Sequence, residues 1–428
     1  MSVFLAARNP RVLLAILGAL TGPAAFADDS DIALDLDAAQ ELAVTRQPLL
    51  EALNAQARAE RESAVAAGQL PDPQLSLGVQ GLPINSDDAG SFTRDSDTQL
   101  TVGFTQEFPR AAKRRLRGAL NEREAQRLDA QAQLAERSIR RDTALAWLEL
   151  WRFEQALLLN RASLREAEAQ MQAVEIALKT SSATQAELLG ARVEVGRMRD
   201  AVAGAEQSIG HARNVLSRWI GEAAFRPVCP DLPAPPLPTL AQVLERVRMH
   251  PQLASLEVQI SAAQTGAELA RAAYAPDWRV ELAYADRPAF SEMVSVQVGI
   301  DLPVFTRNRQ DRGLAAALAR GDAADAAAQD ALRELQAEAR LNYHDSERLY
   351  ERLDAYNNSL LPDSAHRVEA ALAGWGAGRN ALREVLEARR ATLELQMTRL
   401  ELQHDAAKHA AQLEYLGAYA DTAETIHE

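Results

Sequence analysis

The sequence predicts an α+β membrane protein in which long antiparallel helical hairpins carry four membrane-crossing β-strands. Three observations predict it. Four segments of about 8 to 11 residues alternate apolar and polar side chains. One stretch of nearly 70 residues has a helical pattern with no proline and only Gly118 to interrupt it. The order helix, strand, strand, long helix, turn, helix occurs twice. A strand of roughly 9–11 tilted residues spans a bilayer core. Four strands do not close a barrel, and open strand edges are not tolerated in lipid. The chain is therefore expected to pool its strands with copies of itself.

The first 27 residues read as an export signal. Arg8 and Arg11 form a basic end, Val12 to Leu20 an apolar run, and Ala25-Phe26-Ala27 a small-residue cleavage pattern, so cleavage is expected near Ala27. The first repeat is assigned to 28–225. A helix from Asp37 to Gly68 carries Leu42, Leu49, Leu50, Leu53 and Ala57 as a stripe, and Pro48 kinks or breaks it. In the first strand, Gln74 to Leu82, Leu75, Leu77 and Val79 lie opposite Ser76, Gly78 and Gln80. Pro83 to Asp97 is a polar loop. In the second strand, Thr98 to Phe108, Leu100, Val102 and Phe104 share a face, and Pro109 ends the ladder. A helix of about 100 Å follows from Ala111 to Lys179, with Leu145, Leu148, Phe153, Leu157 and Leu164 as its seam. The basic run Lys113 to Arg117 at its start marks either a membrane–periplasm boundary or a solvated helix end. Thr180 to Thr184 reverses the chain, a helix returns from Gln185 to Trp219, and Gly221 caps it.

Residues 226–238 hold six prolines and read as an extended linker that includes Cys229, a half-packed or solvent-near thiol. The second repeat, 239–428, restarts the pattern. His250-Pro251 echoes Gln47-Pro48, and Pro276 follows Pro251 by the same 25 residues that separate Pro73 from Pro48. Strands are expected at Trp278 to Tyr284 and Met293 to Leu302. A helix is expected from about Asn308 to Ala373, a Gly376-Ala377-Gly378 turn next, and a returning helix from Ala381 to about Leu416.

Composition narrows the function. The net charge of −14 argues against nucleic acid, whose phosphates require a basic face. A single cysteine excludes an intramolecular disulfide. The seven histidines show no ligand spacing; His404 and His409, five apart, read as surface residues, so neither a metal site nor a cofactor is expected. No P-loop or nucleophile-elbow motif is present, and no enzyme is expected.

The duplicated order, the strand-closing prolines in QEFP (Pro109) and DLPVF (Pro303), and the run GRNALREVLEAR from Gly378 to Arg389 resemble the TolC family of outer-membrane efflux proteins. The resemblance covers nearly all of residues 37–420. It implies a homotrimer whose strands complete a twelve-stranded barrel in outer-membrane lipid and whose helical hairpins form a periplasmic α-barrel. It also implies a passive duct docked through a periplasmic membrane-fusion adaptor to an inner-membrane pump of the resistance-nodulation-division class. The family's periplasmic gate pattern falls on Trp375, Gly378, Glu384 and Glu387, where the family usually has tyrosine, glycine and two aspartates. Glu187 matches Glu384 in the first repeat, whose turn lacks the glycine, and Arg379 is placed to pair with an acid across the gate. Rings of carboxylates in a narrow pore attract cations; the plainer reading is solvent-facing charge at a helix end. LPDPQLSLGVQGLP and QEFPRAAKRRLRG look like the heavy-metal branch of the family, with drug or organic-solute export as the alternative. Of other classes, an adaptor would carry one hairpin among many short strands, and a structural coiled-coil protein of the envelope would need no membrane strands.

Overall fold

The computed structural model describes residues 33–85, 87–232, 235–379 and 381–419. The expected signal segment lies outside them. The expected break at Pro48 is present. Helix α1 (Leu36–Arg46) ends before α2 (Pro48–Ala67), because proline has no N–H to continue the ladder but suits a helix's first position. Strands β1 (Gln74–Gln80) and β2 (Gln99–Phe108) lead into α3 (Ala111–Lys179), which returns as α4 (Gln185–Ile220). After the proline-rich segment come α5 (Leu240–Arg246), α6 (Pro251–Ala272), β3 (Trp278–Asp286) and β4 (Met293–Ile300). Helices α7 (Gln310–Ala355), α8 (Leu361–Gly376) and α9 (Leu382–Tyr415) complete the described residues.

The second long helix is not uniform. A π-helical turn, Tyr356–Leu360, separates α7 from α8. Pro362 sits just beyond it, near the start of α8, and the widened turn accommodates the hydrogen bond that proline cannot donate. The sequence pattern alone carried the helix straight through Pro362.

The four strands form one antiparallel sheet in the order β1-β2-β3-β4. Leu77 faces Val102, Phe104 faces Leu282, and Val280 faces Val298, so every apolar face falls on one side. That side is bare: Leu77 is 74% exposed and Val294 and Val296 are each 69% exposed. The helices behave differently. The largest buried cluster gathers Trp147, Leu148, Leu150 and Trp151 of α3 with Ile209, Leu216 and Ile220 of α4. Of the expected α3 seam, Leu148 is fully buried and Leu145, Phe153, Leu157 and Leu164 are half-buried. The pattern missed the two tryptophans because α3 is covered on several sides at once, by α1, α2, α4, α6 and α9.

The proline-rich segment is pinned rather than free. Leu34 and Val228 form a parallel bridge, the Cys229 N–H donates to the Leu34 carbonyl (3.0 Å), and Trp151 Nε1 donates to the Pro230 carbonyl (2.8 Å). Trp147 Nε1 donates to the Leu34 carbonyl at 3.1 Å. Cys229 is half-buried against this cluster.

Candidate functional site: a lipid-facing sheet and the hairpin tips

The sheet and the hairpin tips lie at opposite ends of helices about 100 Å long, by 1.5 Å per residue over the 69 residues of α3. No helix among the described residues is long and apolar enough to cross a membrane. The sheet is the element with a lipid-like face: Leu, Val, Ile, Phe and Trp outward, and Gln, Ser, Thr, Gly, Arg and Glu on the other side.

The junction between sheet and helices is clamped across the two halves of the chain. Lys113, in the first turn of α3, is buried. Its Nζ donates to the Ala275 carbonyl (2.7 Å) and pairs with Asp277 Oδ2 (2.8 Å). The Arg110 N–H donates to Asp277 Oδ1 (3.0 Å) and Arg110 Nε to the Pro276 carbonyl (3.0 Å). Burial pushes the Asp277 carboxyl up. The Lys113 and Arg110 hydrogen bonds, with the charges of Lys113 and Arg117, outweigh it and leave the carboxyl below its ordinary value. The basic run is thus divided. Lys113 is buried and Arg114 donates to the Gly68 carbonyl (3.2 Å), whereas Arg115 and Arg117 remain exposed.

At the far end the structure places each sequence-predicted gate residue at or near a helix turn. Gly378 has φ +70°, with its N–H bonded to the Trp375 carbonyl and the Arg379 N–H bonded to the Gly374 carbonyl, both at 2.9 Å. Among the described residues nothing lies within 4 Å of a Cβ built there, so its glycine answers a backbone demand, not a space demand. In the first turn the same left-handed position is taken by Ser181, at φ +59°. Trp375 is half-buried and packs against two clusters, one containing Val174, Leu188 and Leu382 and the other Ala371 and Val385. It therefore brings the tips of the two hairpins together.

The acids divide. Glu384 and Glu387 are exposed in the first two turns of α9, and Glu387 pairs with Arg383 at 3.4 Å. Glu187 caps α4: its Oε2 accepts from the Thr184 N–H (2.7 Å) and hydroxyl (2.9 Å), while Thr184 Oγ1 accepts from the Glu187 N–H (3.2 Å). Thr184-Gln-Ala-Glu187 is the capping-box spacing, a signal present in the sequence. Arg379 is exposed, and no carboxylate partner is found for it among the described residues. The tip residues that sequence reasoning missed are Glu194 and Arg390. Arg390 Nε donates to Glu194 Oε2 (3.0 Å), and its terminal nitrogen reaches the same oxygen, joining α9 to α4. That hydrogen bond raises the Arg390 pKa.

His404 corrects a further expectation. It is buried, with Nε2 3.2 Å from Glu149 and Nδ1 3.4 Å from Asp405. His409 meets Asn342 (2.8 Å). Helix α9 lies between α3 and α7, so positions five residues apart are both covered. Burial lowers the His404 pKa, though Glu149 pulls it back up. No group of three His, Cys, Asp or Glu residues among the described residues is arranged to hold a metal ion.

The chain aligns with the crystal structure of VceC from Vibrio cholerae at a TM-score of 0.75, over 89% of this chain and 96% of that one, at 19% identity. The chain has the fold of this outer-membrane protein. Residues 244–417 match the model of the outer membrane efflux protein family. The CmeC outer membrane channel of Campylobacter jejuni shares this fold, with a TM-score of 0.73 over 91% of this chain and 88% of that one, at 15% identity. A pyoverdine export outer membrane protein of Pseudomonas putida is 24% identical over 306 residues, 64% of this chain; the match spans 63% of that relative, under two thirds of its length. The chain is placed in the outer membrane, with a periplasmic part.

Proposed function

We propose that three copies of this chain form a passive exit duct. It receives solutes from an inner-membrane pump of the resistance-nodulation-division class through a periplasmic adaptor. The observation that carries this reading is the four-stranded sheet with a bare apolar face and two unpaired edges, built onto helical hairpins. In lipid those edges must be satisfied, and three copies supply twelve strands. The two repeats, 28–225 and 239–428 around the segment 226–238, we ascribe to an internal duplication. The periplasmic gate is the hairpin tips: Trp375 and Gly378 shape the turn, Glu384 and Glu387 supply charge, and Arg379 and Glu187 flank them, Glu187 mainly as a helix cap. For the solute, the wording of the first strand and the start of α3 favours heavy-metal cations. The pyoverdine-exporting relative favours an organic solute as the second reading.

The test is the mass of the detergent-extracted protein by light scattering with detergent subtraction. Three chains are expected; a soluble monomer would refute the duct. Single-channel recording of a Glu384→Ala/Glu387→Ala variant is expected to show weaker cation preference, and unchanged selectivity would remove these residues from the pore.

A further inference from the structure

We propose a specific register for barrel closure: β4 of one copy pairs with β1 of the next with Ile300 opposite Val79 and Asp301 opposite Gly78. The inference rests on the proposal above that copies of the chain share one barrel. The occupant of each open edge is a second copy, because the missing strand partner is already present in the chain's own repeat.

The register follows from that repeat. The prolines Pro48 and Pro73 recur as Pro251 and Pro276, which maps β1 onto β3 by 203 positions. Val102-Gly103-Phe104 recurs as Val298-Gly299-Ile300, which maps β2 onto β4 by 196. The structure provides a check of this mapping. Leu77 faces Val102 in the first repeat, so Val280 should face Val298 in the second, and it does. Gly78 faces Thr101, so Glu281 should face Gln297, and it does. The side chains also recur: Ser76 lies over Gly103, and Arg279, its counterpart, lies over Gly299.

The contact between repeats, β2 with β3, is visible: Phe104 faces Leu282, Thr105 faces Glu281, and Gln106 faces Val280. Carrying it one repeat onward sets Ile300 against Val79, Asp301 against Gly78 and Leu302 against Leu77 of a neighbouring copy. The outward residues Ile300 and Leu302 then each meet an apolar partner, as cross-strand pairing favours. A slip of two residues would also keep the faces matched; the repeat is what selects among these registers. The mapping further accounts for the segment after β4. Leu302 is 67% exposed within one chain. Its counterpart Gln106 is paired with β3, so its partner is supplied by the next copy. Pro303 lacks the N–H for further pairing, so the ladder ends there.

Cysteine pairs on the polar face test the register in a Cys229→Ser background. Asp301→Cys is combined in turn with Ser76→Cys, Gly78→Cys and Gln80→Cys, outer membranes are oxidised, and cross-linked multimers are read by non-reducing electrophoresis. Directly opposed positions lie about 4.5–5.5 Å apart at Cβ and diagonal ones about 7–8 Å, and disulfides form only at the shorter spacing. A Cβ at Gly78 has ordinary contact with Thr101 Oγ1 at 3.5 Å and is accommodated. The Gly78→Cys pair is expected to cross-link at least several-fold more than either other pair. Dominance of Ser76→Cys or Gln80→Cys would overturn the register. No cross-link in any pair, from variants that retain a three-chain mass, would overturn closure by β1 and β4. A one-chain mass for the unaltered protein would refute the shared barrel itself.

Discussion

Replacing Lys113 by methionine should loosen the junction between the sheet and the helices. The variant keeps the apolar stem of the side chain but removes the ammonium group, leaving the Ala275 carbonyl and the Asp277 carboxylate without their partner. The Lys113 side chain is 10% exposed and that of Asp277 28%. Breaking a buried ion pair from one side costs about 3–5 kcal/mol. Asp277 keeps the Arg110 N–H and some contact with water, which brings the expected cost to about 2 kcal/mol. Because the clamp joins the first turn of α3 to the start of β3, the loss is local opening more than global unfolding. Hydrogen exchange of a peptide covering residues 110–118, in detergent-extracted protein, reads it directly. A cost of about 2 kcal/mol corresponds to roughly 30-fold faster exchange by the opening equilibrium. The double variant Lys113→Met/Asp277→Asn should recover part of the loss, since neither charge is then left alone. Exchange within threefold of the unaltered protein, or strictly additive single and double variants, would refute the clamp.

Other consequences are as direct. His250 is fully buried at the start of α6, and burial together with the Arg137 charge lowers its pKa to about 4. The unfolded chain binds this proton first, so stability should fall as pH drops from about 6.5 to about 4; thermal melts of His250→Gln should lose that part of the acid sensitivity, and an unchanged pH profile would exclude His250 as its source. Asp277 acts in the same direction at lower pH: its carboxyl is depressed in the folded state, so its contribution is complete above about pH 4 and lost as pH falls through its lowered value. Asp277→Asn should therefore differ from the unaltered protein in exchange at neutral pH, with the gap narrowing as pH falls below about 4; a gap that does not narrow in acid would contradict this. Glu187→Gln keeps the reciprocal cap and should leave both α4 and ion selectivity unchanged, whereas Glu187→Ala should cost about 0.5–2 kcal/mol at the tip. A selectivity change in Glu187→Gln channels would make this residue part of the pore after all. Ser181→Gly removes a side chain from a left-handed position and should slow tryptic cleavage at the first hairpin tip, by about 1 kcal/mol of added stability; faster cleavage would count against strain at Ser181.

By itself the sequence determined the elements. A proline-free run can only be one long helix, and strict alternation with prolines behind it can only be strands, so α3 was legible to its end residues and the four strands to within two or three residues. These are local properties of spacing and backbone geometry. The capping box at Thr184 and Glu187 was local too, and was legible in principle. What the tertiary structure decided is which faces are covered and which groups meet. Trp147 and Trp151 hold the proline-rich segment, Lys113 finds Asp277 across 164 positions of sequence, Arg390 finds Glu194 across 196, and His404 is enclosed rather than exposed. Helical periodicity assigns one buried stripe to each helix, but a helix enclosed by several neighbours buries more than a stripe. Pairings between the two halves of the chain depend on how those halves pack, a geometry that spacing along the chain does not encode.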